Sequence, residues 1–305
     1  MMTTLMDRKF GAGGCCAALG SFDGVHLGHQ AVIREAVLRA EALDCAPVVW
    51  TFSSLPFGKA TTLTDAAQRQ AIFADLGAAR LYLEDFDALR GLSPAEFVER
   101  VLIGALDCRC AVCGFNYRFG RDGAGDFALL ERLMRAAGRD ALCMPAVEYA
   151  GAPVSSTRIR EAVREGRMEE ARAMLGRPYS LWGTVCHGHA LGRTLGFPTA
   201  NLFFAEGRTV PRRGVYASAV TLEDGRRLRG VTNVGVRPTL RDGQVRVVCE
   251  TCLLDFEGDL YGRPLRVDFL RFMRDEKRFG SLEELQKTVN ADRESVRNAD
   301  LSEFF

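Results

Sequence analysis

The sequence has almost no net charge, because 40 Lys and Arg stand against 39 Asp and Glu and leave a formal +1. That balance excludes a protein that holds nucleic acid by bulk electrostatics, which needs a basic excess to displace counterions. Long hydrophobic runs are also missing. No apolar stretch approaches the roughly 20 residues that cross a bilayer, and no membrane partner is expected. Met1 to Phe10 carries no hydrophobic segment behind its charges, so no secretory leader is expected and the cytoplasm is the expected compartment. Internal repeats and low-complexity linkers are absent too. At 305 residues, 47% of them apolar, the chain is long for one core, and two domains are expected.

What is there in quantity is cysteine, with 10 residues. Cys108, Cys110 and Cys113 form one close run, and Cys249 and Cys252 another. Both runs sit in apolar, strand-like segments. Residues three apart on a strand point to opposite faces, so Cys249 and Cys252 cannot share a metal there. The cysteines read as small buried hydrophobes that stay thiols in a reducing cytosol.

The first half alternates strand and helix signals. Strands are expected at Cys15–Leu19, Pro47–Phe52, Arg80–Leu83, Ala111–Gly114 and Ala141–Met144. Helices are expected at Gln30–Leu43, Ala66–Leu76 and Phe127–Ala137, and from Ser93-Pro94-Ala95-Glu96, a capping box with proline at the first helical position, to about Leu106. Such alternation predicts a parallel sheet with helices on both faces. A helix opens at Ser156-Thr157, and another spans Met168 to Leu175. From Tyr179 to about Met273 the pattern is β, punctuated by Gly and Pro at hairpin-like intervals. It predicts a closed or nearly closed antiparallel barrel. Ser281 and Glu284 resemble another capping box, opening a helix to Asp292. The domain boundary is placed at about residue 178.

Two segments carry chemistry. Gly20-Ser21-Phe22-Asp23-Gly24-Val25-His26-Leu27-Gly28-His29 follows a strand and opens a helix, where backbone N–H groups and the helix dipole favour phosphate. Gly24 and Gly28 allow close backbone approach. His26 and His29 share a face of the first turn and could donate hydrogen bonds to a pentacoordinate phosphate; the alternative is a tight turn with two solvated histidines. Ser156, Thr157 and Arg158 offer hydroxyls and a guanidinium suited to ATP β/γ-phosphates, or simply an N-cap. Further on, Gly192-Arg193-Thr194-Leu195-Gly196-Phe197-Pro198-Thr199-Ala200-Asn201 pairs a glycine loop with Thr199 and Asn201 oxygens that suit magnesium alongside nucleotide phosphates. Read alone, this run fits a bulged strand better.

The first segment resembles the H-x-G-H signature of nucleotidyltransferases, in the form found in bacterial bifunctional riboflavin kinase/FAD synthetases. Gly114-Phe115-Asn116-Tyr117-Arg118-Phe119-Gly120 and Ser155-Ser156-Thr157-Arg158-Ile159-Arg160 are similar to further blocks of that family. So are Gly192–Asn201, Gly214-Val215-Tyr216, Gly230–Thr239, and Glu250-Thr251 followed by Leu254–Gly262. The resemblance implies an N-terminal Rossmann-like adenylyltransferase domain over 1–178 and a C-terminal β-barrel kinase domain with a terminal helix over 179–305. It implies that riboflavin and ATP give FMN, and that FMN and ATP give FAD and pyrophosphate, both with Mg2+. By resemblance, Gly20, Phe22, Asp23, Gly24, His26, His29, Ser156, Thr157 and Arg158 bind ATP for adenylyl transfer, with His26 and His29 on the transferred phosphate and Asn116 positioning nucleotide or FMN. For the kinase, Gly188, Gly192, Arg193, Thr199, Asn201 and Arg271 bind ATP or riboflavin, Thr199 and Asn201 hold the metal, and Glu250 is the general base. Arg271, Arg274 and Lys277 resemble a closing segment. His187 and His189 read as exposed or strand-edge residues. Two departures from the family pattern, Leu55 in place of a histidine and Gly123 in place of a basic residue, leave a second reading: a riboflavin kinase with a weak or inactive adenylyltransferase domain.

Overall fold

The computed structural model describes residues 13–53, 61–187, 197–238 and 245–305. Its contacts divide the chain into two compact units, Met1–Ser156 and Thr157–Phe305.

The first unit is built on five strands, β1 (Cys15–Leu19), β2 (Ala46–Phe52), β3 (Arg80–Glu84), β4 (Cys108–Gly114) and β5 (Asp140–Met144). They pair in parallel in the order β3-β2-β1-β4-β5. The helices are α1 (Leu27–Ala42), α2 (Ala66–Asp75), α3 (Phe86–Leu89), α4 (Pro94–Glu96) and α5 (Phe127–Ala136). The central strand β1 is apolar along its whole length because both faces are covered. Along β1, Cys15, Ala17 and Leu19 face a cluster with Trp50, Leu102 and Leu130, while Cys16 and Ala18 face one with Ile33, Ala36 and Phe73. Reciprocal capping boxes start α2 (Asp65 with Gln68) and α4 (Ser93 with Glu96), each cap contributing about 1 kcal/mol. After α4 the helix continues over Phe97–Ala105 with π geometry. Gly104 permits the wide turn, since a Cβ there would stand 3.0 Å from the Glu99 carbonyl. The connection from β1 goes to one side of the sheet and β4 lies on the other. Beyond the carboxyl ends of β1 and β4 the order reverses, which is where such sheets bind ligands.

A short hairpin, β6 (Glu148–Tyr149) and β7 (Ala152–Pro153), precedes α6 (Ser156–Arg164) and α7 (Met168–Leu175). The sequence pattern groups both helices with the first domain, ending at about 178. By contacts they fall almost wholly in the second unit, where α7 packs on the sheet that follows. That sheet has β8 (Tyr179–Thr184), β9 (Thr199–Phe203), β10 (Gly214–Leu222), β11 (Arg227–Pro238), β12 (Val245–Leu253) and β13 (Pro264–Arg274) in the order β8-β13-β10-β11-β12-β9. It is antiparallel and curls into a half-barrel. Its two edges approach where the Cys186 N–H donates to the Asn201 carbonyl at 2.9 Å.

Helix α8 (Leu282–Asn298) and the tail behind it bury Val296, Leu301 and Phe304 against Val215, Ala217, Val231 and Leu270 on one face of this sheet. Arg229 Nη1 donates to the carbonyls of Val296, Arg297 and Ala299, each at 2.8 Å, satisfying groups the helix end leaves open. The helix runs past the expected Asp292. The expected capping box is half formed: Ser281 Oγ accepts the Glu284 N–H at 3.2 Å, but Glu284 Oε2 takes the Gly280 N–H.

All ten cysteines are free thiols, seven of them buried. On β12, Cys249 lies opposite Leu202 and Cys252 opposite Thr199, on the two different faces of the sheet.

Candidate functional site

The turn after β1 is unusual in its backbone. Phe22 (φ +46°), Gly24 (φ +79°) and Val25 (φ +41°) are all left-handed, which for a β-branched residue such as Val25 costs about 1–3 kcal/mol. The strain is held by bonds from outside the turn. Asp23, only 1% exposed, accepts the Leu63 and Thr64 N–H groups on Oδ1 at 2.8 and 3.4 Å. Its carbonyl accepts from Ser156 Oγ at 2.9 Å. The Gly24 N–H donates to Thr64 Oγ1 at 3.0 Å, and Gln30 Nε2 donates to the Val25 carbonyl at 3.0 Å.

The turn delivers His26 as the N-cap of α1. His26 Nδ1 accepts the His29 N–H at 3.3 Å. A ring nitrogen that accepts carries no proton, so in this arrangement the proton of a neutral His26 sits on Nε2. The two imidazoles stack, with centroids 3.6 Å apart and planes 19° from parallel. Phe22 braces His29 edge-on at 5.2 Å. Its ring is buried, so it supports the histidine pair from behind. Gly28 has a packing reason, since a Cβ there would meet the His26 ring at 3.3 Å.

Other expected residues of this unit stand near the ends of β1 and β4. Asn116 is exposed in the turn after β4, and Gly20 stands at the end of β1, where a Cβ would press on the Phe22 ring at 3.1 Å. Ser156, the last residue of this unit, opens α6, and Thr157 and Arg158 on its first turn already belong to the second unit. Gly123 has φ +65°, a conformation that favours glycine over a basic residue.

In the second unit, strand register makes the arrangement. Asn201 on β9 lies directly opposite Glu250 on β12, and Glu250 opposite Asn233 on β11. Directly opposed residues share a face with Cβ atoms about 4.5–5.5 Å apart. Thr199, two residues before Asn201, shares it too. Asn201 is 4% exposed. Its Nδ2 donates to the Thr199 carbonyl at 3.4 Å, while its Oδ1 has no hydrogen-bond partner among the described residues. A buried carbonyl oxygen left open costs about 1–3 kcal/mol unless something binds it. Beside it lies an open cleft of about 620 Å³ including its mouth, walled by Thr199, Asn201, Phe256, Asp259, Leu260 and Tyr261. Exposed His187 stacks on Tyr261 at 3.9 Å.

The closing segment behaves differently from its resemblance. Arg274 donates to Asp292 through Nε (3.1 Å) and Nη2 (2.7 Å), and Lys277 pairs with Glu284 at 2.7 Å. Both staple the segment to α8, which leaves Arg271 exposed on β13. Gly188, Gly192, Arg193, His189 and Leu55 lie outside the described residues. Sequence reading missed Thr64 and Gln30, because an ordinary threonine some forty positions from the turn carries no local signal.

Two family models match the chain, "Riboflavin kinase" over residues 175–299 and "FAD synthetase" over residues 11–158. A bifunctional riboflavin kinase/FMN adenylyltransferase from Pseudomonas fluorescens is 41% identical over 291 residues, covering 93% of this chain and 92% of that one. The protein of that name from Escherichia coli (strain K12) is 33% identical, covering 93% and 92%. Among solved structures, one described as a macrolide-efflux protein from Streptococcus pneumoniae is 31% identical with a TM-score of 0.87, covering 98% of this chain and 99% of its own. Among the described residues, no helix is long and apolar enough to cross a membrane.

Proposed function

This chain belongs to the family of bifunctional riboflavin kinase/FMN adenylyltransferases, and on that premise we propose which of its residues carry the two reactions. The protein converts riboflavin and ATP to FMN and ADP, then FMN and ATP to FAD and pyrophosphate. Both reactions belong to families that use ATP and generally a divalent metal.

For the kinase step, Glu250 takes the proton of the ribityl 5′-hydroxyl as its oxygen attacks the ATP γ-phosphorus and ADP leaves. Mg2+ would be the metal, and Thr199 Oγ1 and Asn201 Oδ1 would hold it. Two hard oxygen donors on residues that line a cleft, one of them buried without a protein partner, suit a cation that keeps water and phosphate oxygens as its remaining ligands. When bound, the ion would offset charge on the transferred phosphoryl group. Gly188, Gly192 and Arg193 would wrap the nucleotide, and Arg271 would close over it.

For the adenylyl step, an FMN phosphate oxygen attacks the ATP α-phosphorus and pyrophosphate departs. His26 and His29 donate to the non-bridging oxygens as charge builds there, from rings the turn already holds face to face, so little reorganisation is needed. Ser156, Thr157 and Arg158 take the leaving phosphates, and Asn116 orients FMN. Of the expected ATP contacts, Asp23 and Gly24 act by shaping the turn, since their polar groups are occupied by Leu63, Thr64 and Ser156. The second reading, a kinase with a silent N-terminal domain, gains nothing from Gly123, whose left-handed backbone accounts for glycine there.

The protein works in the cytoplasm, a compartment consistent with ten free thiols. The observation that carries the bifunctional assignment is two intact constellations, the stacked histidine pair and the Thr199–Asn201–Glu250 face, on separate units. Product analysis by mass after incubation with riboflavin, ATP and Mg2+ tests it. FMN followed by FAD is expected; a reaction that stops at FMN would favour the silent-domain reading.

A further inference from the structure

The turn before the stacked histidines has four polar groups tied to residues that lie outside it, and two of these ties converge on one side chain and its own backbone. Thr64 is 7% exposed. Its Oγ1 accepts the Gly24 N–H at 3.0 Å, and its N–H, with that of Leu63, donates to Asp23 Oδ1. Gly24 is left-handed at φ +79°, between Phe22 at φ +46° and Val25 at φ +41°. Without an outside acceptor, the buried Gly24 N–H would pull the turn toward a conformation that satisfies it. His26 is two residues further on, and its Nδ1 in turn fixes the His29 N–H.

Resting on the adenylyltransferase reading above, we propose that Thr64 is a positioning residue for adenylyl transfer: its hydroxyl clasps the Gly24 amide and so sets the angle at which His26 and His29 meet the α-phosphate. Thr64 touches no substrate. It acts through the turn, and the hydroxyl oxygen as an acceptor is what matters. The methyl group and the backbone could be kept without it.

Thr64→Val removes the acceptor and keeps the shape, whereas Thr64→Ser keeps the acceptor and loses the methyl. Both are made in the full chain. The FMN-to-FAD kcat and the KM for ATP are measured, together with imidazole NMR signals in histidine-labelled protein, whose four histidines place two in this turn. Thr64→Val is expected to lose about ten- to a hundredfold in kcat, as a misplacement of about 1 Å does, with KM for ATP changed by less than about threefold. The His26 and His29 signals should move, those of His187 and His189 should stay, and Thr64→Ser should recover most of both readouts. The proposal is overturned if Thr64→Val stays within about twofold of the parent, or if Thr64→Ser is as impaired as Thr64→Val. A lowered melting temperature with unmoved His26 and His29 signals overturns it as well. Should the parent chain make no FAD, the adenylyltransferase reading fails, and the imidazole signals still decide the clasp.

Discussion

The two candidate centres are built by opposite means. The N-terminal one is contiguous: His26 and His29 fall within a single strand–turn–helix passage, and their geometry depends on a strained backbone held from outside. The C-terminal one is assembled across strands. Asn201 and Glu250 lie far apart in sequence and meet because β9 and β12 pair in one register. A contiguous centre is sensitive to the conformation of its loop. An assembled one is sensitive to register, because a slip of one residue would turn Glu250 to the other face.

Sharp separation of the two centres is the first expectation to test. Glu250→Gln should lower kcat for FMN formation by about 10²–10⁴, as loss of a general base does, and leave FAD formation from supplied FMN unchanged. Next in size, His29→Ala should cut FAD formation by about 10²–10³, as removal of a transition-state donor does, while riboflavin phosphorylation stays normal. Asn201→Ala completes the contrast: kinase activity should be lost at ordinary metal concentrations, with adenylylation spared. A single-site change that disables both activities in a folded protein would break the two-centre assignment.

A smaller effect separates loop conformation from chemistry. Gly28→Ala places a Cβ 3.3 Å from the His26 ring, close enough that the ring must give by a few tenths of an ångström. A fall in FAD formation of about three- to tenfold is expected, with no change at the kinase centre. The smallest effect concerns the thiols. Burial pushes Cys113 and Cys249 up to about 12, and the reactive thiolate forms only as pH approaches the pKa. At pH 8, a thiol reagent should therefore titrate at most the half-exposed Cys45, Cys143 and Cys186 in the native protein, and all ten cysteines after unfolding.

Much of this was legible in the residues. The parallel sheet followed from alternating apolar runs, the capping box at Ser93 from local chemistry, and Met168–Leu175 from its Gly176 stop. The part that was not legible has a common cause. Arg274 and Lys277 look like ligand-facing cations until Asp292 and Glu284 on α8 are seen to take them. Glu250 is one carboxylate among many until register sets it beside Asn201. The π turn at Phe97–Ala105 has no periodicity that separates it from an α-helix over so short a span.

Local pattern by itself determined the two-domain composition, the sheet classes and the histidine turn, because propensity, capping and glycine placement act over a few neighbouring residues. Tertiary structure alone decided which distant groups fill the turn's hydrogen bonds, which face Glu250 shares, and which arginines are already paired. Those outcomes depend on strand register and on contacts between residues tens of positions apart, which no short window of sequence contains.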